Sequence, residues 1–384
     1  MHRWMPPARN ANAFSIPQNR TFVVTGRHDE LPAGPGPAFA SFPSMAKRSD
    51  LLRGAARWIP AAAMRPFGRP VALFFHGVVE RRRDPRIEIN HHEIQPFRAI
   101  VKQLKSRFEV LPLTVLDDAL QHPERHGRTV FLMSDDGYLN TSTVAAGVLE
   151  EFKLPWTLFV STQHIDTGEP NPLTLARLFF GYAPDGRYNI PHLKAPVVLG
   201  DDRDAEATQV IAALRSLAAA DARDAVAAMA AAFPGDDLAD LLARFPSERY
   251  LNWHEVANLH SRGVEIGAHA HWHWPMNAVQ SEDYLCQQAC VPRDALMSRL
   301  GRCRYFAYPF GNSEDVTSGA WRAVRDAGYS HAFTTMAGSL DGGANPWLLP
   351  RYGLKLREAH LGTLLPLQRA GNGRLLRWQE RLAG

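Results

Sequence analysis

Residues 129–140, TVFLMSDDGYLN, run from an apolar stretch into two adjacent carboxylates and a glycine. A short apolar run bounded by turn residues reads as a buried strand. The next segment, TSTVAAGVLEEF, has helical spacing, and PWTLFVST reads as a strand again. Upstream, RPVALFFHGVV (69–79) is a further strand with His76 at its C-terminal end, followed by the helical IQPFRAIVKQLKSRF, the extended EVLPL and the helical TVLDDALQ. Strands alternating with helices argue for parallel pairing with right-handed crossovers, hence a doubly wound sheet or a barrel.

The alternation breaks between about 170 and 248. There the chain turns to alanine-rich helices such as AEATQVIAALRSLAAA, read as an insertion over one rim of the core. It resumes with the helical NWHEVANLHSRG, the strand VEIGAHAHWH, a long helix over 282–300, the strand RYFAYPFG, the helical VTSGAWRAVRDAG and the strand SHAFTT, and closes with WLLPRYGL. The polar residues of interest fall at predicted C-terminal strand ends, the edge where parallel α/β folds carry active sites.

At 384 residues and 45% hydrophobic content, the chain can bury a full core. A net charge of +4, with no dense basic stripe interleaved with aromatics, gives nucleic acid little support as a partner. Three cysteines, Cys286, Cys290 and Cys303, make no disulfide framework. No apolar run of about 18 residues suggests a spanning helix, and the N-terminus lacks the parts of a secretory signal, so a cytoplasmic location is expected. Residues 1–45, rich in Pro, Gly and Ser, read as a disordered leader or an early start at Met1 in place of Met45. Residues 46–69 could form a basic amphipathic helix that touches a membrane surface or packs on the domain's own flank. The core domain is expected over 70–356, with the insertion at 170–248 and a helical tail over 357–384.

Two clusters carry chemistry. Asp135 and Asp136 sit where a strand leaves the core, and neighbours on an extended backbone point to opposite sides, which lets one bind a metal while the other faces the attacking water. An Asp as helix N-cap is the plainer alternative. In GAHAHWHWPM (267–276), His269, His271 and His273 recur at every second position, a pattern that suits either a shared metal or solvated and hydrogen-bonded histidines.

Together these stretches resemble a known family. FLMSDDGYLN is similar to the first motif of the polysaccharide deacetylases, the NodB-homology group of carbohydrate esterases. LNWHEVANLHSRGVEIGAHAHWHWPM resembles the second, a helix ending in Gly before a strand and a His-x-x-x-His pair, and YFAYPFGN the third. The resemblance runs from about His76 to Arg351. It implies a distorted (β/α) barrel that removes N-acetyl groups from an amino sugar or an N-acetylated polysaccharide. It also implies a divalent metal, zinc foremost, held by Asp136, His269 and His273, with His271 a variable position between them. Asp135 would be the general base, and the backbone N–H of Phe310, after Pro309, an oxyanion donor. Tyr308 belongs to the same motif. Trp272 and Trp274 would offer flat faces to a sugar or pack in the core. Arg351, in a Leu-Pro-Arg similar to a recurrent end of the domain, would reach the rim of the site or form a structural salt bridge.

The chain departs from the pattern in three places. Many relatives have an arginine that orients the base at the start of the third motif, and this chain has Ala307. The later histidine that acts as general acid has no clear counterpart, since His331 and His360 lack its context. Ser134 stands where Phe is usual. LFFHGVV, however, resembles the N-terminal strand of a circularly permuted branch, which makes His76 the candidate acid. His91, His92, His164 and His254 have no motif support and read as ordinary histidines. The departures leave open a carbohydrate-binding relative without catalysis, and the site residues would serve hydrolysis of another amide equally well.

Overall fold

The computed structural model describes residues 68–354 and 373–383. The leader expected over 1–45 lies outside the described residues, as does the amphipathic segment 46–69 apart from Gly68 and Arg69. Of the tail expected over 357–384, the described part, Gly373–Ala383, is a helix.

The strands are β1 (Val71–Phe75), β2 (Gly77–Val79), β3 (His91–Glu93), β4 (Glu109–Val110), β5 (Thr129–Ser134), β6 (Thr157–Val160), β7 (Gly186–Tyr188), β8 (Val197–Leu199), β9 (Glu265–Ala268), β10 (Tyr305–Ala307), β11 (His331–Phe333) and β12 (Tyr352–Gly353). Eight of them form one parallel sheet in the order β11-β10-β9-β6-β5-β1-β12, with β4 also on β5. The segment 349–353 spans both edges. Leu349 bridges Phe333 of β11, while Tyr352 and Gly353 pair with Leu73 and Phe74 of β1. The sheet is thereby curled into the distorted barrel that the strand–helix alternation and the motifs led us to expect.

Alternation along each strand divides the core in two. Leu73, Phe75, Val130, Leu132, Leu158, Val160 and Phe306 face the surrounding helices, where they meet Phe97, Leu104, Leu149, Val256, Leu285 and Leu296. Their neighbours Ala72, Phe74, Phe131, Met133, Phe159, Tyr305, Ala307 and Phe333 fill the barrel. Truncating one of these rings to Ala costs about 3–5 kcal/mol. Space inside is tight: a Cβ on Gly267 would lie 2.5 Å from the Phe159 ring and 2.9 Å from the Tyr305 carbonyl oxygen.

The helices begin where the sequence offers caps. Asn252 and Glu255 form a reciprocal capping box for Trp253–Ser261, and Ser281 caps Glu282–Leu300. Gly301, at φ 74°, ends the latter helix in a left-handed turn. Over the insertion lie helices Pro172–Tyr182, Arg203–Arg215, Ala219–Ala230 and Asp237–Arg244, and the stretch AEATQVIAALRSLAAA, read as one helix, is broken at residues 216–218. An antiparallel hairpin, β7 with β8, was not foreseen, because its strands are three residues long and sit in Gly- and Pro-rich sequence. Leu173, Phe179, Val210, Leu214, Ala222 and Met229 give the insertion its own core, which takes in Trp272 and Trp274. Among the described residues no helix is long and apolar enough to cross a membrane.

Candidate active site

Because the sheet is parallel, the C-terminal ends of its strands share one edge, and the motif residues follow directly from them. His76 follows β1, Asp135 and Asp136 follow β5, His269 follows β9 and Tyr308 follows β10. Three non-glycine residues here hold left-handed backbone: Asp136 at φ 77°, Ala270 at φ 61° and Phe310 at φ 60°. Such conformations persist only where the surroundings enforce them, and they concentrate at functional sites. The simple alternation expected of an extended Asp-Asp pair is therefore broken, since Asp136 is turned back. Gly137 continues the turn at φ 89°, where a Cβ would press on Val160 at 3.1 Å. A π-helical turn, Thr141–Ala145, follows.

Asp136, His269 and His273 converge, all buried, with one ligand atom from each lying within 4.8 Å of the others. Asp136 Oδ1 is 3.2 Å from His269 Nε2 and 3.0 Å from His273 Nε2, yet no donor reaches it in hydrogen-bond geometry. An orphaned buried carboxylate oxygen faced by two ring nitrogens is what a cation would satisfy. The outer nitrogen of His269 supports the same reading: its Nδ1–H donates to the Ala307 carbonyl at 2.8 Å, which leaves the Nε2 lone pair facing inward. Two imidazoles and one carboxylate could hold a zinc-like divalent ion with a position open to substrate.

Asp135 is fixed from the other side. Arg351 donates Nη1–H to its Oδ1 at 2.8 Å and Nη2–H to its Oδ2 at 2.9 Å, and both residues are buried. The Arg351 guanidinium also lies 4.5 Å over the Phe74 ring and donates Nε–H to the Thr334 carbonyl. Burial alone would raise the Asp135 carboxyl, but the charges of Arg351 and His269 outweigh it and hold it below the usual range. In Asp136 burial is likewise overcome, by His273 and His76. For His269, burial acts downward, and the carboxylates of Asp135 and Asp136 reverse it, leaving the imidazole raised. His76 goes the other way. Burial lowers it, and the two carboxylates only partly compensate.

Phe310 packs against the cluster. Its ring is 5.1 Å from that of His273 and has the Arg215 guanidinium 4.4 Å above it. Gly311 N–H donates to the Pro309 carbonyl at 2.7 Å, which turns the Phe310 N–H of the same trans peptide the opposite way.

Other expected residues are placed differently. His271 leaves the cluster: its Nδ1 lies 2.9 Å from the Thr162 hydroxyl. Trp274 is fully buried and stacked on Trp272, whose ring carries the Arg223 guanidinium at 4.2 Å, so the sugar-facing alternative for both gives way to core packing. Tyr308 is also fully buried, with its O–H donated to the Trp347 carbonyl, and does not line the site. Arg351, with no exposure, takes the salt-bridge alternative and holds Asp135 from behind. Ser134 Oγ–H donates to the His76 carbonyl at 2.7 Å and ties the ends of β1 and β5 together, a contact Phe could not make.

Two groups beside the cluster escaped the sequence reading. His91 Nε2 meets Glu248 Oε1 at 2.8 Å beneath Tyr138, in a space that depends on Gly77, where a Cβ would lie 2.0 Å from His91. Asn171 Nδ2 lies 2.9 Å from His273 Nδ1. The dipeptide Asn171-Pro172 is a legible helix-cap signal, but nothing in it points to a histidine a hundred residues on.

The polysaccharide deacetylase family model matches residues 122–332, more than half of the chain. The chain belongs to the polysaccharide deacetylase family. Among solved structures, this family member is similar to the Streptococcus pyogenes deacetylase PplD in complex with acetate, at 14% identity and a TM-score of 0.51, over 78% of this chain and 98% of that one. It is also similar to IcaB from Ammonifex degensii, at 16% identity and a TM-score of 0.48, over 78% and 97%. A de-N-acetylase from Aggregatibacter actinomycetemcomitans aligns at 14% identity and a TM-score of 0.46, over 78% and 99%. These likenesses concern the fold. No curated protein matches the sequence.

Proposed function

We propose that this deacetylase removes N-acetyl groups from an amino sugar or its polymer, with Asp136, His269 and His273 holding a divalent cation, zinc foremost. The observation that carries the reading is the orphaned Asp136 Oδ1 between two Nε2 atoms, beside a second carboxylate held apart by Arg351. A cation bound there would supply Lewis acidity at the scissile carbonyl and make a water more acidic.

The protein's own groups do the rest. Arg351 keeps Asp135 ionised and fixes its plane, so the carboxylate is ready to take a proton from the attacking water. His76 then passes a proton to the leaving amine. Once protonated, the imidazole can supply it, and the proton that Asp135 takes from water balances the one the amine gains. The Phe310 N–H, left free of the turn that Gly311 closes on the Pro309 carbonyl, is the donor for the oxyanion. Acetate, the ligand in the similar PplD structure, is the product such a reaction releases.

Ala307, which left a binding-only relative open, ceases to argue against catalysis, because Arg351 gives the base its arginine from another place in the chain. Acetate release from a panel of N-acetylglucosamine oligomers tests the proposal. Release that depends on Asp135 supports it, and binding without release by well-folded, metal-loaded protein overturns it.

A further inference from the structure

The side chain of Asn171 joins the centre just described to the helical insertion, and its two ends make opposite demands. Oδ1 accepts the Leu173 N–H at 2.8 Å and so caps the helix Pro172–Tyr182. Nδ2 lies 2.9 Å from His273 Nδ1, and both residues are buried. An amide nitrogen can only donate, so in this arrangement His273 Nδ1 must be the bare nitrogen. The proton of the neutral ring then sits on Nε2, 3.0 Å from Asp136 Oδ1 but outside hydrogen-bond geometry, so that oxygen stays unsatisfied. A protonated Nε2 has no lone pair for a cation. The partner imidazole is set the other way, because the Ala307 carbonyl demands a proton on His269 Nδ1. One histidine is thus ready to bind a cation while the other is blocked.

Resting on the metal reading above, we propose that Asn171 is the positioning residue that sets His273 as a ligand: cation loading requires its amide to turn over, so that Oδ1 accepts from Nδ1–H. Oxygen and NH2 are nearly equal in size, so packing does not oppose the turn. What opposes it is the Leu173 N–H, which must share Oδ1 or lose its cap. The metal centre and the first helix of the insertion therefore depend on one side chain.

Substitution separates the two tasks. Asn171→Ser keeps a good cap but is too short to reach His273, whereas Asn171→Asp presents acceptors to both donors without turning. Zn2+ affinity of each full-length variant is measured by competition with a chelator, alongside thermal unfolding of the metal-free form. Imidazole 15N spectra of the wild type are recorded with and without Zn2+. We expect Asn171→Ser to unfold like the wild type yet bind Zn2+ about 10–100-fold more weakly, and Asn171→Asp to bind at least as tightly as the wild type. The His273 proton should move from Nε2 to Nδ1 on loading. Wild-type affinity in Asn171→Ser, or a proton on His273 Nδ1 in the metal-free protein, overturns the proposal. Failure of the wild type to bind Zn2+ at all overturns the metal reading beneath it.

Discussion

Arg351 grips both carboxylate oxygens of Asp135, at 2.8 and 2.9 Å, from a position 216 residues away in the chain, with neither side chain open to solvent. Arg351 lies in the segment that spans the barrel's two edges, so closure of the fold and orientation of the proposed base are one event. Replacing Arg351 with Met leaves a buried, unpaired carboxylate. We predict a loss of about 3–5 kcal/mol in stability, largely recovered in the double variant Arg351→Met/Asp135→Leu. Denaturant unfolding of the single and double variants checks this; equal stability of Arg351→Met and wild type contradicts it.

The same pair sets a pH dependence. With Arg351 present, Asp135 is ionised well into acid; without it, burial raises the carboxyl. Arg351→Lys keeps a charge but not the two-pronged geometry. Its acidic limb in kcat/KM against pH should therefore shift upward from that of the wild type. An unshifted limb separates Asp135 from the rate.

His76 follows β1 at the sheet edge that also carries Asp135, Asp136 and His269, and it is not among the three residues whose ligand atoms converge. His76→Ala should lower kcat by about 10²–10⁴-fold, the range for loss of general acid–base catalysis, with Zn2+ content unchanged. Steady-state kinetics with metal analysis on one sample gives the answer. An unchanged kcat removes His76 from the chemistry.

A second ion pair lies within the loop after β2 and is joined to the insertion by the Tyr182 hydroxyl. Asp84 binds Arg86 and accepts the Tyr182 O–H, and mainly through the Arg86 hydrogen bond its pKa is lowered to about 2. The folded pKa is below the unfolded one, so the contribution is complete above about pH 4 and is lost as pH falls through about 2. Asp84→Asn should cost about 2 kcal/mol at pH 7 and roughly half of that at pH 3. Unfolding at the two pH values measures it, and a pH-independent difference refutes the assignment.

Much of this was legible in the sequence, for reasons that differ by residue. The strands announced themselves because a parallel barrel buries both faces of each, giving runs such as VALFF and TVFLM that admit few other readings. Asp136, His269 and His273 stand out together only through the family's motifs, because spacing alone leaves open which histidines converge and His273 lies five residues beyond the end of β9. The left-handed turn at Asp136 was not legible, since only Gly137 after it signals a bend. For Arg351 the sequence offered the rim of the site or a salt bridge, and the structure has the salt bridge; its partner Asp135 is not legible, because proximity is made by ring closure, which no local pattern encodes. Trp272 and Trp274 were ambiguous because tryptophan serves core and sugar equally, and here the insertion's core claims them.

Zinc content and acetate release, measured together on dialysed wild type, Asp135→Asn and His269→Ala, test the central claim most directly. The wild type should carry one zinc and release acetate, Asp135→Asn should carry the zinc without turnover, and His269→Ala should have neither. Full turnover by metal-free wild type, or stoichiometric zinc retained by His269→Ala, would contradict the account.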